Sequence, residues 1–207
     1  MKQKPIYYYN IAQGTDEWHE IRAGHIGGSE AHALLVKGKN PILGASAISI
    51  VYEKVGEMFT GPVEMPGNYA MQRGNELEPQ ARAAYTLDTF TNVDQCGYIE
   101  AGRFVGYSPD GLIGDDGLIE IKCPMAPEFA RFAHTREIDP KHYAQMQWGL
   151  WITGRDWCDY VMYHPDFFTD TLIERVLPNA EYFTRFDISV PAFSGMMIEV
   201  LAKLGIQ

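Results

Sequence analysis

Residues 106–111 read Gly106-Tyr107-Ser108-Pro109-Asp110-Gly111, and residues 115–124 read Asp115-Asp116-Gly117-Leu118-Ile119-Glu120-Ile121-Lys122-Cys123-Pro124. Asp115-Asp116-Gly117 is a tight-turn signal, because Asp and Gly tolerate the backbone angles a hairpin demands. The apolar, β-branched residues after it predict a strand over 117–123. Side chains alternate along a strand, so Glu120 and Lys122 share one face while Ile119 and Ile121 point into the core on the other. A hairpin at this turn, closing on a strand over 103–108, folds Asp110 back beside Glu120. Two carboxylates and one ammonium then converge on one spot.

Such a group suits phosphodiester hydrolysis. Two carboxylates supply hard oxygen ligands to a magnesium ion, which keeps several waters and binds substrate phosphate as well. A bound water becomes more acidic, and the ammonium can hold it and relieve charge in the transition state. The competing account is a same-face ion pair on a solvated strand, with Asp110 a plain turn residue, since isolated Glu-x-Lys triplets are common surface patterns. The Ser-Pro-Asp-Gly turn upstream and a helix downstream make the combination moderately specific.

Outward from this strand the chain is mixed. Thr15 or Asp16 can cap a short helix through about Ala23. Gly27-Gly28-Ser29 opens another, with Ala31, Leu34 and Leu35 as its apolar side, and residues 45–58 form a third. Residues 68–88 form a longer helix, with Leu77, Ala81, Ala84 and Tyr85 at helical spacing and a break or kink expected near Pro79. A further strand is expected over 95–101. Asp139-Pro140 starts a strong helix that runs to about Thr153 and ends at Gly154. Residues 156–163 and 170–177 alternate as two more strands, and 179–204 is helical with an interruption at Pro191. The expected fold is a mixed α/β domain, a short central sheet flanked by helices, over residues 1–207 as one unit. Residues 61–67, Gly-Pro-Val-Glu-Met-Pro-Gly, read as a loop within it.

The 17 Lys+Arg against 27 Asp+Glu give a net charge of −10. That excludes a protein that coats DNA with a broadly basic exterior, but not one that handles it in a locally basic cleft. No apolar run approaches the roughly 18 residues of a membrane span. The basic start is followed by Ile6-Tyr7-Tyr8-Tyr9-Asn10 and not by a signal-type apolar region, so an intracellular protein is expected. Cys96, Cys123 and Cys158 make no Cys-x-x-Cys pair, which suits a reducing compartment and excludes a four-cysteine cluster. The six histidines are read as structural or surface residues, not as a zinc site, since Gly27-Gly28 and Asp139-Pro140 interrupt the helical intervals that would pair them. The tyrosine run could stack on bases; a strand with one buried tyrosine is the plainer account.

Pro109-Asp110 followed by Glu120-Ile121-Lys122 resembles the PD-(D/E)xK nuclease core, and with it the restriction-endonuclease-like fold. Four more stretches resemble phage recombination exonucleases of the lambda-exonuclease (YqaJ) type: Trp18-His19-Glu20-Ile21-Arg22 leading into Gly28-Ser29-Glu30; Arg73-Gly74-Asn75-Glu76-Leu77-Glu78; Tyr143-Ala144-Gln145-Met146-Gln147-Trp148; and the helix around Val190-Pro191. Together they cover about residues 15–200.

This resemblance implies a magnesium-dependent 5′→3′ exonuclease that degrades one strand of linear duplex DNA and leaves a 3′ overhang for phage-type recombination by strand annealing. Another nuclease specificity, endonuclease or flap cutter, is the alternative within the class. A non-catalytic DNA-end adaptor is the alternative outside it. By resemblance, Asp110, Glu120 and the backbone carbonyl of Ile121 hold one or two Mg2+ ions, with Mn2+ able to substitute. Lys122 positions the attacking water, and Glu78 is the acidic residue near the metals, although on sequence Glu76 and Glu57 look no different. Arg22, Ser29 and Gln147 match residues that grip a 5′-phosphate, with Gln145 second because residues two apart on a helix face different ways. Ser29 reads equally well as a plain helix cap. Arg73 is placed for a further phosphate contact. Met71 lies where relatives carry a strand-separating wedge, or is core or loop filler. The resemblance also implies a ring-shaped homotrimer, a phage single-strand annealing protein as partner, and action in the cytoplasm of a bacterial host, phage or prophage encoded.

Overall fold

A computed structural model of the chain describes residues 4–36, 42–61 and 69–206. Two sheets form. The first is antiparallel, in the order β1 (Ile6–Tyr8), β2 (Tyr98–Gly102), β3 (Val105–Tyr107). The second runs β4 (Gly111–Ile113), β5 (Gly117–Lys122), β6 (Trp157–Tyr163), β7 (Thr171–Val176). Its central pair, β5 and β6, is parallel, and both outer pairs are antiparallel. The helices are α1 (Asp16–Arg22), α2 (Ala45–Thr60), α3 (Tyr69–Thr89), α4 (Ala126–Thr135), α5 (Pro140–Thr153) and α6 (Ala180–Lys203), with a 3-10 helix at Gly28–Leu35. This is the mixed α/β arrangement expected, a short mixed sheet flanked by helices.

The 115–117 turn is a hairpin, but it closes on β4 and not on the strand over 103–108. That strand is β3 and belongs to the other sheet. Ser108-Pro109-Asp110 separates the two, and a three-residue strand such as β4 is too short for its periodicity to register. Gly111 faces Ile119 across the hairpin, and a Cβ on Gly111 would stand 2.2 Å from Val93 and 2.9 Å from Ile119. Only glycine permits that approach directly after Asp110. Arg155 ties the hairpin down, its Nη1 donating to the carbonyls of Gly114 at 2.8 Å and Gly117 at 2.7 Å.

Neither face of β5 is solvated over Gly117–Ile121, because apolar clusters cover the sheet on both sides. Ile119 and Ile121 pack on Ala81 and Tyr85 of α3. Leu118 joins Cys158, Tyr160 and Met162 in the larger core on the other side. Glu120, on that same side, is fully buried.

Helix caps follow the sequence. Thr15 caps α1 by accepting from the Trp18 N–H, Asp139 caps α5 by accepting from Lys141, and Gly154 ends α5 in the left-handed region. No break occurs at Pro79 or Pro191: α3 and α6 run through them. Both prolines lie on the exposed sides of their helices, where water can satisfy the carbonyl four residues earlier. The tyrosine run also differs from expectation. Tyr7 and Tyr8 are half-buried, Tyr9 is exposed, and Tyr7 and Tyr9 stack at 6.0 Å. The expected loop at 61–67 lies outside the described residues, apart from Gly61. No helix among the described residues is long and apolar enough to cross a membrane.

α3 is fixed to the sheet by a buried polar group. Tyr85 donates to Asp159 on β6 at 2.7 Å, and Arg175 on β7 grips the same carboxylate at 2.7 and 2.9 Å while stacking on Trp157. Asp159→Ala would leave the buried Tyr85 hydroxyl without an acceptor, which costs about 1–3 kcal/mol beyond the lost bond. The variant should lose about 2–3 kcal/mol in urea unfolding; a loss within experimental error would refute the role given to this group.

Candidate active site

The hairpin register brings Asp110 beside Glu120. The Ile121 N–H donates to Asp110 Oδ2 at 2.6 Å, and Lys122 Nζ donates to Glu120 Oε1. Glu120 Oε2 is buried with no hydrogen-bond partner among the described residues. An orphaned buried carboxylate oxygen is costly unless a cation or water completes it. Burial raises the Asp110 carboxyl above the usual carboxylate range, opposed by Lys122 and by the Ile121 N–H. Burial pushes Glu120 up further, to about 8, with Lys122 opposing and Asp110 adding to the rise. Lys122 is held protonated: burial works against its charge, but Glu120 and Asp110 outweigh burial. The nearby His142 imidazole is driven down to about 4 by burial and by Lys122, so it is neutral at pH 7 and adds no charge.

Glu78 reaches the same neighbourhood from α3. Burial and Asp110 raise its carboxyl, and Arg82 opposes them. Arg82 pairs with Glu78 one turn earlier and also donates to the Asp110 carbonyl from Nη2 at 3.0 Å and Nε at 3.3 Å. It locks α3 to the turn carrying Asp110. Sequence reasoning passed over Arg82, although its i,i+4 spacing from Glu78 was a signal. Arg73 donates from Nη1 to the carbonyls of Cys123 at 2.6 Å and Pro124 at 2.8 Å. It braces the chain just beyond Lys122. The Met71 side chain lies outside the described residues.

A second feature adjoins the first across Ser108-Pro109-Asp110. A cleft of about 160 Å3 is lined by residues that include Trp18, Arg22, Ser29, Tyr107, Ser108 and Gln145. Arg22 stacks on Trp18, its guanidinium carbon 3.7 Å from the ring centroid. Trp18 is oriented in turn by donating to Gly97 O at 3.0 Å and Ser108 Oγ at 3.1 Å. Among the described residues no carboxylate forms an ion pair with Arg22, so its fork is open to an anion. Ser29 is exposed and is not the cap of its helix: Gly27 holds that position, and Glu30 accepts from the Gly27 N–H at 3.0 Å. The first N–H groups of a helix have no partner within it, and here they border the cleft.

Gln147 is not at this cleft. It is fully buried, its amide donating to Leu177 O at 2.8 Å and accepting from Asn179 N at 2.8 Å. Those two bonds fix the lead into α6. Gln145, on another side of α5, lines the cleft, so the order given to the two glutamines is reversed. Tyr107 lies behind them, buried and with an unpartnered hydroxyl, and it needs glycine on α5: a Cβ at Gly149 would stand 2.6 Å from its ring.

Among the described residues no group of three or more His, Cys, Asp or Glu is arranged to hold a metal ion. The pair Asp110 and Glu120 fits a magnesium site all the same, because that ion commonly takes one or two carboxylates and keeps its waters. The orphan Glu120 oxygen is the donor such an ion would complete.

The raised Glu120 carboxyl has a consequence for stability. Between its ordinary 4.5 and about 8, the folded protein holds a proton that the unfolded chain has released. This contribution to stability is complete below pH 4.5 and is lost as pH rises towards 8. In EDTA, the melting temperature of wild type should therefore fall relative to that of Glu120→Gln between pH 5 and 8. Parallel curves would refute the assignment.

The fold belongs to a class of viral-type recombination proteins. A family model described as the YqaJ-like viral recombinase domain matches residues 17–156, and the chain belongs to that family. Among solved structures it is similar to an alkaline exonuclease, LHK-Exo, from Laribacter hongkongensis. The two are 33% identical, with a TM-score of 0.78, over 92% of this chain and 98% of that one. The same figures hold for LHK-Exo in complex with dAMP. A phage-related exonuclease from Haemophilus somnus 129PT shares the fold at 17% identity and TM-score 0.67, over 87% of this chain and 96% of that one. No curated protein matches the chain.

Proposed function

We propose that the chain is a magnesium-dependent exonuclease that degrades one strand of linear duplex DNA from its 5′ end, leaving a 3′ overhang for recombination by strand annealing. The observation that carries this reading is the adjacency of the enclosed Asp110–Glu120–Lys122 group, with its orphan carboxylate oxygen, to a cleft holding Arg22, which no carboxylate among the described residues pairs. Family membership supports it, as does the likeness to an alkaline exonuclease crystallised with dAMP, a nucleotide of the kind stepwise hydrolysis releases.

Asp110, Glu120 and the Ile121 carbonyl would hold one or two Mg2+ ions, which Mn2+ could replace. The ion supplies a Lewis acid that neutralises phosphate charge and acidifies a bound water. Ile121 N–H fixes one oxygen of Asp110 and leaves the other for a ligand. Lys122, held protonated, orients the attacking water and offsets charge on the phosphoryl oxygens. Glu78 extends the acidic side, steadied by Arg82. Arg22, Ser29 and Gln145 grip the terminal phosphate, so the chain end enters in one direction. Met71 as a strand-separating wedge, a three-copy ring around the duplex, a phage single-strand annealing partner and a bacterial cytoplasmic setting belong to the same proposal and rest on family resemblance.

Linear duplexes labelled at the 5′ or the 3′ end, with or without a terminal 5′-phosphate, test it. In Mg2+ the 5′ label should appear at once as mononucleotide while the 3′ label stays on a shortening strand. Nothing should be released in EDTA. Early release of the 3′ label would refute the polarity, and release in EDTA would refute the metal.

A further inference from the structure

Lys54 stands on α2, outside both features described above, and only 9% of it is exposed. A buried ammonium requires partners, and Lys54 has two, Glu30 Oε1 at 3.0 Å and Glu57 Oε1 at 2.9 Å. Each carboxylate places its other oxygen on the backbone of the turn 24–27. Glu30 Oε2 accepts from Gly27 N at 3.0 Å, and Glu57 Oε2 accepts from Gly24 N at 3.1 Å. A closed bridge therefore runs Gly24–Glu57–Lys54–Glu30–Gly27, across the turn that separates Arg22 from Ser29. The same turn is pinned from the other side, Ile26 donating to Phe104 O at 2.9 Å and accepting from Gly106 N at 3.1 Å.

The bridge carries two negative charges and one positive charge behind the cleft. Burial lowers the Arg22 pKa, and both Glu30 and Glu57 act against that through space. Arg22 is thus within the field of the two carboxylates without being captured by either. An unneutralised carboxylate here would draw Arg22 inward and repel an incoming anion. Partly buried charges such as these are weakly screened by salt.

We propose that the charge of the Glu30–Lys54–Glu57 bridge sets the affinity of the cleft for a terminal phosphate, with Lys54 restraining two carboxylates that otherwise compete for Arg22. This rests on the reading of the cleft as a phosphate site. Neither Lys54 nor the two glutamates touches DNA in this scheme; they are positioning residues. A merely structural bridge and a charge-setting bridge differ in sign. Lys54→Met makes the bridge more negative, whereas Glu57→Gln makes it neutral. If the role is structural, both lower phosphate recognition. If charge governs, they move it in opposite directions.

The measurement is the ratio of Kd values for 5′-hydroxyl and 5′-phosphorylated duplexes in EDTA, with melting curves to verify folding. Lys54→Met should lower the ratio about tenfold, and Glu57→Gln should raise it about threefold, the size of a unit-charge change acting over roughly 12 Å through an effective dielectric of roughly 20 to 40. A fall in both variants, or no change in either, overturns the proposal. Should Lys54→Met not fold, Glu57→Gln decides alone: a rise supports the proposal, and a fall or no change sinks it. Failure of the underlying reading looks different. Wild type would then bind both ends equally, or Arg22→Ala would leave the ratio untouched.

Discussion

Glu120→Gln should stop nucleotide release from duplex DNA, lowering kcat/KM at least about a thousandfold, while the protein remains folded. The size follows from losing several kcal/mol of charge stabilisation at about 1.4 kcal/mol per decade of rate. Glutamine keeps the shape of the side chain and one carbonyl oxygen for Lys122, so the packing of β5 against β6 survives. It cannot carry the negative charge that draws a divalent cation to the orphan oxygen. Glu120 is buried and its carboxyl is pushed up to about 8, so the charge is a burden on the metal-free fold. At pH 9 in EDTA the variant should melt no lower than wild type. Loss of activity without loss of stability separates a chemical role from a packing role. Initial rates on labelled duplex, with melting curves on the same preparations, make the comparison. Activity within tenfold of wild type would remove Glu120 from the chemistry.

Arg22→Ala should reduce the preference for 5′-phosphorylated ends by about 10- to 100-fold, the worth of about 1.5–3 kcal/mol for a hydrogen-bonded charged group. The guanidinium stacks on Trp18 at 3.7 Å and has no described carboxylate partner, so it is oriented yet available. Activity on 5′-hydroxyl ends should change little, because Arg22 lies in the neighbouring cleft and not among the carboxylates. An equal loss on both kinds of end would show that Arg22 acts through the fold alone. Competition assays that mix the two duplexes in one tube read this preference directly.

Much of the strand carrying Glu120 and Lys122 was legible before folding. Alternation put Glu120 and Lys122 together, and the Asp-Asp-Gly turn brought Asp110 to them, although the hairpin partner was β4 and not β3. Local chemistry also foretold the caps at Thr15, Asp139 and Gly154. The prolines in α3 and α6 cause no break, for a shared reason. A proline's local penalty can be read from sequence, but whether water or protein faces the affected carbonyl depends on packing.

The placement of polar side chains was less legible. Gln145 and Gln147 are both amides on one helix. Which of them meets the cleft depends on how α5 rotates against the 3-10 helix and on the carbonyl of Leu177, far away in sequence. Arg73 was read as a phosphate contact and Arg82 was not singled out, and each holds backbone carbonyls around the carboxylates. The i,i+3 spacing of Lys54 and Glu57 on α2 was legible, but its second partner, Glu30, lies on another element and was not.

The net charge of −10 directed attention to local cations; among them Lys122 is paired with Glu120, whereas Arg22 stacks on Trp18 and forms no ion pair with a carboxylate among the described residues. The type of most elements was contained in the sequence, because it follows from local periodicity and short-range turn chemistry, and the resemblance to a nuclease family was carried by short motifs that stand in the sequence as they are. Tertiary structure alone decided that Glu120 is enclosed with one oxygen unpartnered among the described residues, that Gln145 and not Gln147 borders the cleft, and that Lys54 joins Glu30 to Glu57 across the turn after Arg22. Burial and electrostatic fields are sums over neighbours distant in the chain, and only the folded arrangement brings those neighbours together.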